Sequence, residues 1–92
     1  MRLIIKPAFK RDTDRVANHT LLKALTEKIE QIERANTKEN ITGLKLLRGY
    51  STQYRIYVKG PHYSYRIGAV IRGNTIWLVR FLPRKFIYRR FP

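Results

Sequence analysis

From Tyr54 to Arg72 the side chains alternate in character. Tyr54, Ile56 and Val58 fall on one side of an extended chain, with Arg55, Tyr57 and Lys59 on the other. After a Gly60-Pro61-His62 turn, Tyr63, Tyr65, Ile67, Ala69 and Ile71 fall opposite Ser64, Arg66, Gly68, Val70 and Arg72. Successive side chains of a strand point to opposite faces, so a period of two predicts a sheet with one buried and one open face. Gly73-Asn74 is a tight hairpin signal, and the strand it introduces, residues 75–82, is almost wholly apolar. Such a strand belongs in the interior of the sheet, covered on both sides over much of its length. Pro83 stops it. The open face is left to Arg55, Tyr57 and Arg66.

The first half has a different period. Residues 2–6 read as a short apolar strand, and Pro7 removes a backbone donor where a helix can begin. Phe9 and Val16, seven apart, share one face of a short helix to about residue 17, with Lys10, Arg11, Asp14 and Arg15 outward. Asn18-His19-Thr20 breaks it and supplies capping oxygens, with His19 read as structural. Leu22, Leu25, Ile29 and Ile32 then recur at spacings of three and four, while Glu27, Lys28, Glu30, Glu33 and Arg34 occupy the other faces of a second helix. Residues 35–53 form a long connection pinned to the core by Ile41, Leu44, Leu46 and Leu47. At the other end, residues 84–91 form a helical turn or two, which puts Arg84 and Tyr88 on one face at i, i+4. The expected fold is a single α+β domain over residues 1–92. An N-terminal strand and a helical hairpin precede three antiparallel strands in one sheet, with the helices on one face and a short C-terminal helical segment. Trp77 is read as core or core edge.

Charge is placed rather than spread. From Asn40 onward there is no Asp or Glu but eleven Lys and Arg, with most of the aromatics among them. The six carboxylates (Asp12, Asp14, Glu27, Glu30, Glu33, Glu39) all come earlier, where nine basic residues leave only +3 of the total +14. A polyanion is the natural partner of such a surface, and a bound acidic partner relieves the self-repulsion of the free chain. Catalysis in the second half must do without carboxylate bases and without carboxylate-held Mg²⁺ or Zn²⁺. The absence of cysteine excludes a disulfide scaffold and a thiolate zinc site and fits a reducing compartment. Only three consecutive apolar residues precede Lys6, too few for a signal peptide or a membrane span, so a cytoplasmic protein is expected. No Gly-rich phosphate loop, metal-ligand spacing or Ser/His/Asp arrangement is present.

Arg55, Arg66 and Arg84 lie on two strands and at the end of a third. Adjacent strands are about 4.8 Å apart, so three guanidiniums there can converge on one phosphate. Spacing alone fits a solvated basic face equally well. Tyr57 and Tyr88 beside them favour the functional reading, because aromatics on a basic surface stack unpaired bases, and single-stranded RNA offers such bases. Lys45, Arg48, Lys59, Arg89 and Arg90 extend the candidate RNA-binding set. Lys10, Arg11 and Arg15, with Lys45 and Arg48, are either docking contacts for RNA or solvated residues.

Leu47-Arg48-Gly49-Tyr50 leading into Tyr54-Arg55-Ile56, then Tyr65-Arg66-Ile67-Gly68, then Arg84-Lys85-Phe86-Ile87-Tyr88-Arg89, resembles the RelE/ParE superfamily of toxin–antitoxin toxins. The likeness spans nearly the whole chain. It implies a RelE-like fold and a ribosome-dependent mRNA endonuclease that uses no cofactor and no metal. The substrate's own 2′-OH would attack the adjacent phosphate to leave a 2′,3′-cyclic phosphate and a 5′-OH. It further implies mRNA in the A site of the 70S ribosome as substrate and no membrane partner. An acidic cognate antitoxin would assemble the otherwise monomeric toxin into a hetero-oligomer. By the same resemblance, Arg66 holds the scissile phosphate, Arg84 binds it and helps protonate or shield the leaving oxygen, and Tyr88 stacks on or orients the nucleotide. Where RelE-type enzymes offer two lysines, one of them proposed as base, this chain has Arg55 and Tyr57. Arginine cannot be deprotonated in a protein, so Arg55 stabilises charge but accepts no proton. The candidate bases are His62, then Lys59, Lys85 and Tyr88. Two rivals stand beside this reading: the gyrase-poisoning ParE branch, which shares the scaffold but lacks the catalytic set and is opposed by the Arg84/Tyr88 pair, and a non-catalytic basic RNA-binding module, for which charge and aromatics suffice.

Overall fold

The computed structural model describes residues 1–60 and 64–92, so the turn expected at Gly60-Pro61-His62 falls largely outside the described residues. Strand β1 (Arg2–Ile5) leads into helices α1 (Pro7–Asp14) and α2 (His19–Arg34). A 3₁₀ turn (Lys38–Asn40) and strand β2 (Leu44–Leu46) follow. Strands β3 (Gln53–Lys59), β4 (Ser64–Arg72) and β5 (Thr75–Pro83) precede the C-terminal helix α3 (Arg84–Arg90). The sheet runs β1-β5-β4-β3-β2, with β1 parallel to β5 and the other neighbours antiparallel.

Local chemistry accounts for the helix boundaries. Pro7 opens α1, and the Asn18 side chain caps α2 by accepting from the Leu21 backbone N–H at 2.9 Å. The buried stripe of α2 is Leu21, Leu25 and Ile32, with Ile29 packed at its margin; Leu25 and Ile32 are buried as expected, and Leu21 takes the place expected of the half-buried Leu22. These residues and Phe9 of α1 pack on the face of the sheet made by Ile56, Val58, Ile67, Ala69, Ile71, Ile76, Leu78 and Phe81. On β5 the pairing skips a residue, from Leu78 opposite Ala69 to Arg80 opposite Gly68. The extra residue, Val79, changes the parity of the strand, which lets Phe81 join Ile76 and Leu78 in the core.

The edge of β5 beyond β1 is completed by a side chain. Pairing with β1 ends at Ile5 opposite Leu78. Farther along, the Phe81 N–H donates at 3.0 Å to Oδ2 of the buried Asp12 on α1. Arg80 clamps the same carboxylate through Nε at 2.7 Å and Nη2 at 3.0 Å. This hydrogen-bonded pairing raises the Arg80 guanidinium above its ordinary pKa. A buried carboxylate with three donors takes the place of a strand partner.

The connection after α2 differs from expectation in two ways. It contains the edge strand β2, and of its four expected anchors Ile41 is buried and Leu44 packs against the core, whereas Leu46 is exposed. Helices α1 and α2 cover one face of the sheet as expected. The other face is partly covered by α3 and the residue after it, since a Cβ built at Gly68 would lie within 3 Å of the Phe91 ring. Phe91 and Ile87 are both buried there, in a small second cluster. No helix among the described residues is long and apolar enough to cross a membrane.

Candidate functional site

The open face is ordered by strand register. Opposed residues of an antiparallel pair share a face, so the pairs Lys45–Arg55 and Arg55–Gly68 form one row, and Tyr57–Arg66 and Arg66–Leu82 the next. Tyr65 pairs with Pro83, so α3 starts beside this row with Arg84 as its first residue. Ile87 and Phe91 hold α3 against the sheet, which leaves Tyr88, one turn after Arg84, 52% exposed.

Arg66 is at the centre. Its guanidinium carbon lies 4.6 Å from the centre of the Tyr57 ring, within cation–π range. Its Nη1 donates to the Tyr65 carbonyl at 3.1 Å. Its Nε is buried and has no hydrogen-bond partner among the described residues. Burial pulls the Arg66 pKa down, as do the like charges of Arg55 and Arg84, while Tyr88 and Tyr57 oppose the shift. An arginine in such a place stays charged, so the cost is felt as a demand for an anion. No carboxylate from the second half of the chain can answer it. The Arg66 guanidinium, acted on by those of Arg55 and Arg84 and with an orphaned buried N–H, has the chemistry to accept an oxyanion with several acceptor oxygens.

The remaining candidates divide by position. Lys45 continues the Arg55 row and is exposed, as are Arg48, Arg89 and Arg90. Tyr57 is 37% exposed, but one face of its ring is taken by Arg66. Lys59 lines a shallow hollow with Glu27, Lys28, Gln31 and Arg34 of α2, apart from the arginine cluster. Lys85 is drawn to the Phe86 ring, 5.1 Å away. Candidate base His62 lies outside the described residues. Trp77 is half-buried opposite Val70. Among the described residues no three His, Cys, Asp or Glu side chains gather to hold a metal ion. Two contributors escaped the sequence reading. Gly68 and Phe91 seat α3, and the one available signal was a glycine inside an alternating strand, which often marks a close approach of other atoms.

Comparison with known proteins agrees with this fold. No family model matches the chain. Toxin RelE3 of Methanocaldococcus jannaschii is 33% identical over 93 residues, covering all of both chains. The crystal structure of a RelB–RelE antitoxin–toxin complex from Methanococcus jannaschii contains a chain that superposes with a TM-score of 0.75 at 32% identity. That match covers 97% of this chain and 99% of the other. With full-length similarity at this identity and a shared fold, the chain belongs to the RelE family of toxins.

Proposed function

We propose that this toxin is an endoribonuclease that cleaves mRNA in the ribosomal A site, and that a cognate acidic antitoxin silences it. The observation that carries the reading is the Arg66 guanidinium, buried at Nε, without a hydrogen-bond partner there among the described residues, and acted on by the like charges of Arg55 and Arg84. The reaction forms a bond from the 2′-oxygen to phosphorus and breaks the bond from phosphorus to the 5′-oxygen. It leaves a 2′,3′-cyclic phosphate and a 5′-OH. Negative charge grows on the phosphate oxygens as the phosphorus becomes five-coordinate, and Arg66, Arg84 and Arg55 stabilise it in place of a metal ion. Tyr57 holds the Arg66 plane. Of the base candidates among the described residues, Tyr88 is the one that acts on Arg66, so this reading gives Tyr88 the proton exchange and the orientation of the nucleotide. Lys45, Arg48, Arg89 and Arg90 carry the RNA backbone. The antitoxin partner is supported by the RelB–RelE assembly of the related structure and by the +14 charge of this chain.

The test is to map 5′ ends of transcripts after brief induction of the wild type, Arg66→Ala and Arg84→Ala. Position-specific cuts within translated frames, lost in both variants together with growth arrest, support the proposal. DNA breaks with intact mRNA would assign the chain to gyrase poisoning. Binding with a salt slope of about −0.7 per phosphate contact but no cyclic-phosphate ends would leave a binding module.

A further inference from the structure

Lys28 sits on α2, on the side of the sheet away from the arginine cluster, among residues that a charge pattern assigns to solvent. Its ammonium is nonetheless fully engaged. It donates to Gln31 Oε1 at 2.9 Å, to the Thr42 carbonyl at 2.9 Å and to Thr42 Oγ1 at 3.0 Å. An ammonium has three donors, and all three are used. Gln31 and the Thr42 hydroxyl close the triangle, Nε2 donating to Oγ1 at 2.9 Å and Oγ1 to Oε1 at 3.1 Å. Burial lowers the Lys28 pKa, consistent with an ammonium held against the protein rather than free in water.

The residue fixed next to this triangle is Gly43. Its φ of +78° is one that side chains disfavour, and a Cβ there would lie 3.1 Å from the Tyr57 Cβ. The Gly43 carbonyl accepts the Tyr57 N–H at 3.0 Å. Tyr57 in turn carries Arg66 on its ring. The path therefore runs through three contacts and one peptide link, from ammonium to Thr42, along the chain to Gly43, across to Tyr57, and over the ring to Arg66.

We propose that Lys28 is a positioning residue: by clamping Thr42 it seats Gly43 under Tyr57 and so fixes the ring that orients the Arg66 guanidinium. The claim rests on Arg66 being the phosphate-binding residue. Lys28 touches no substrate. Its charge matters because a neutral side chain leaves the Thr42 carbonyl without its donor, while the Thr42 hydroxyl keeps only Gln31.

The test needs no RNA at first. An aromatic ring under the guanidinium shifts the Arg66 Nε–H proton resonance upfield, and that shift is read by NMR in the wild type, Lys28→Met, Lys28→Arg and Thr42→Val. The expected result is loss of the upfield shift in Lys28→Met and Thr42→Val and its recovery in Lys28→Arg, which keeps a charged donor. In the cleavage assay the same two variants lose kcat by roughly 10- to 100-fold, as a displacement of about 1 Å at the reacting centre does, with KM unchanged. An Arg66 resonance that stays in place in Lys28→Met, or moves equally in Lys28→Arg, overturns the claim; the second result assigns the effect to packing of the stem. If Lys28→Met does not fold, the Thr42→Val resonance decides alone. Failure of the wild type to cut RNA counts against the nuclease reading, and the resonance then still decides the positioning claim.

Discussion

Replacing Gly68 by Ala tests how the C-terminal helix is held over the arginine cluster. The added methyl would meet the Phe91 ring at 2.6 Å from Cγ, 2.7 Å from Cδ2 and 2.9 Å from Cδ1, so the ring must leave its seat. Phe91 is 4% exposed, and expelling it forfeits most of the roughly 1.5–3 kcal/mol that burying a phenylalanine contributes. Against this, alanine in a strand gains about 0.5–1 kcal/mol over glycine. The net cost to the docked state of α3 is about 1–2 kcal/mol, which multiplies its undocked fraction by roughly 5–30. The main core does not include Phe91, so the sheet and the two N-terminal helices should persist. Hydrogen exchange reads this directly. The Phe91 amide, bonded to the Ile87 carbonyl at 2.8 Å, should exchange about 5–30 times faster while amides of β4 and β5 keep their protection. RNA cleavage should fall because Arg84 and Tyr88 ride on α3. Unchanged exchange at Phe91 with full activity would refute the reasoning.

Other perturbations separate the scaffold from the site. Asp12→Asn removes the charge from a carboxylate whose side chain is 4% exposed. Because the Arg80 side chain keeps 20% of its surface open, the loss should fall near the low end for a broken buried pair, about 3 kcal/mol in urea unfolding. Asn18→Ala removes the α2 cap and should cost about 1 kcal/mol, read as a lower urea midpoint with unaltered cleavage per folded molecule. Arg66→Lys keeps the charge but loses the planar fork over Tyr57, so it should fold normally and lose most of its cleavage rate, an outcome a purely electrostatic surface would not produce.

Parts of this molecule that depend on local patterns were legible in the sequence. The alternation in residues 54–59 and 64–72, the Gly73-Asn74 hairpin, Pro7 at a helix start, the Asn18 cap and the i, i+4 placement of Arg84 and Tyr88 all reflect neighbours close in sequence. Arg66 feels the charges of both Arg55 and Arg84. Features that depend on distant partners were not legible. The Asp12–Arg80 pair joins residues 68 apart, and neither residue type signals the other. Strand β2 is three residues long and lies at the sheet edge, so of the leucines read as anchors Leu44 packs on the core while Leu46 is exposed. The parallel β1–β5 pairing and the extra residue Val79 arise only when the sheet closes. Lys28 looked solvated because its acceptors, apart from Gln31, come from a loop 14 residues away.

The central claim is that guanidinium groups on this face stabilise an RNA phosphate while its own neighbouring 2′-hydroxyl attacks. The direct measurement is cleavage on programmed ribosomes of an mRNA carrying a single 2′-deoxy substitution on the 5′ side of the scissile phosphate, beside the all-ribose control. The account predicts that the control ends in a 2′,3′-cyclic phosphate, that the substituted message stays intact while the toxin still binds, and that Arg66→Ala abolishes cutting of the control. Cleavage of the deoxy-substituted position by the wild-type toxin would contradict it.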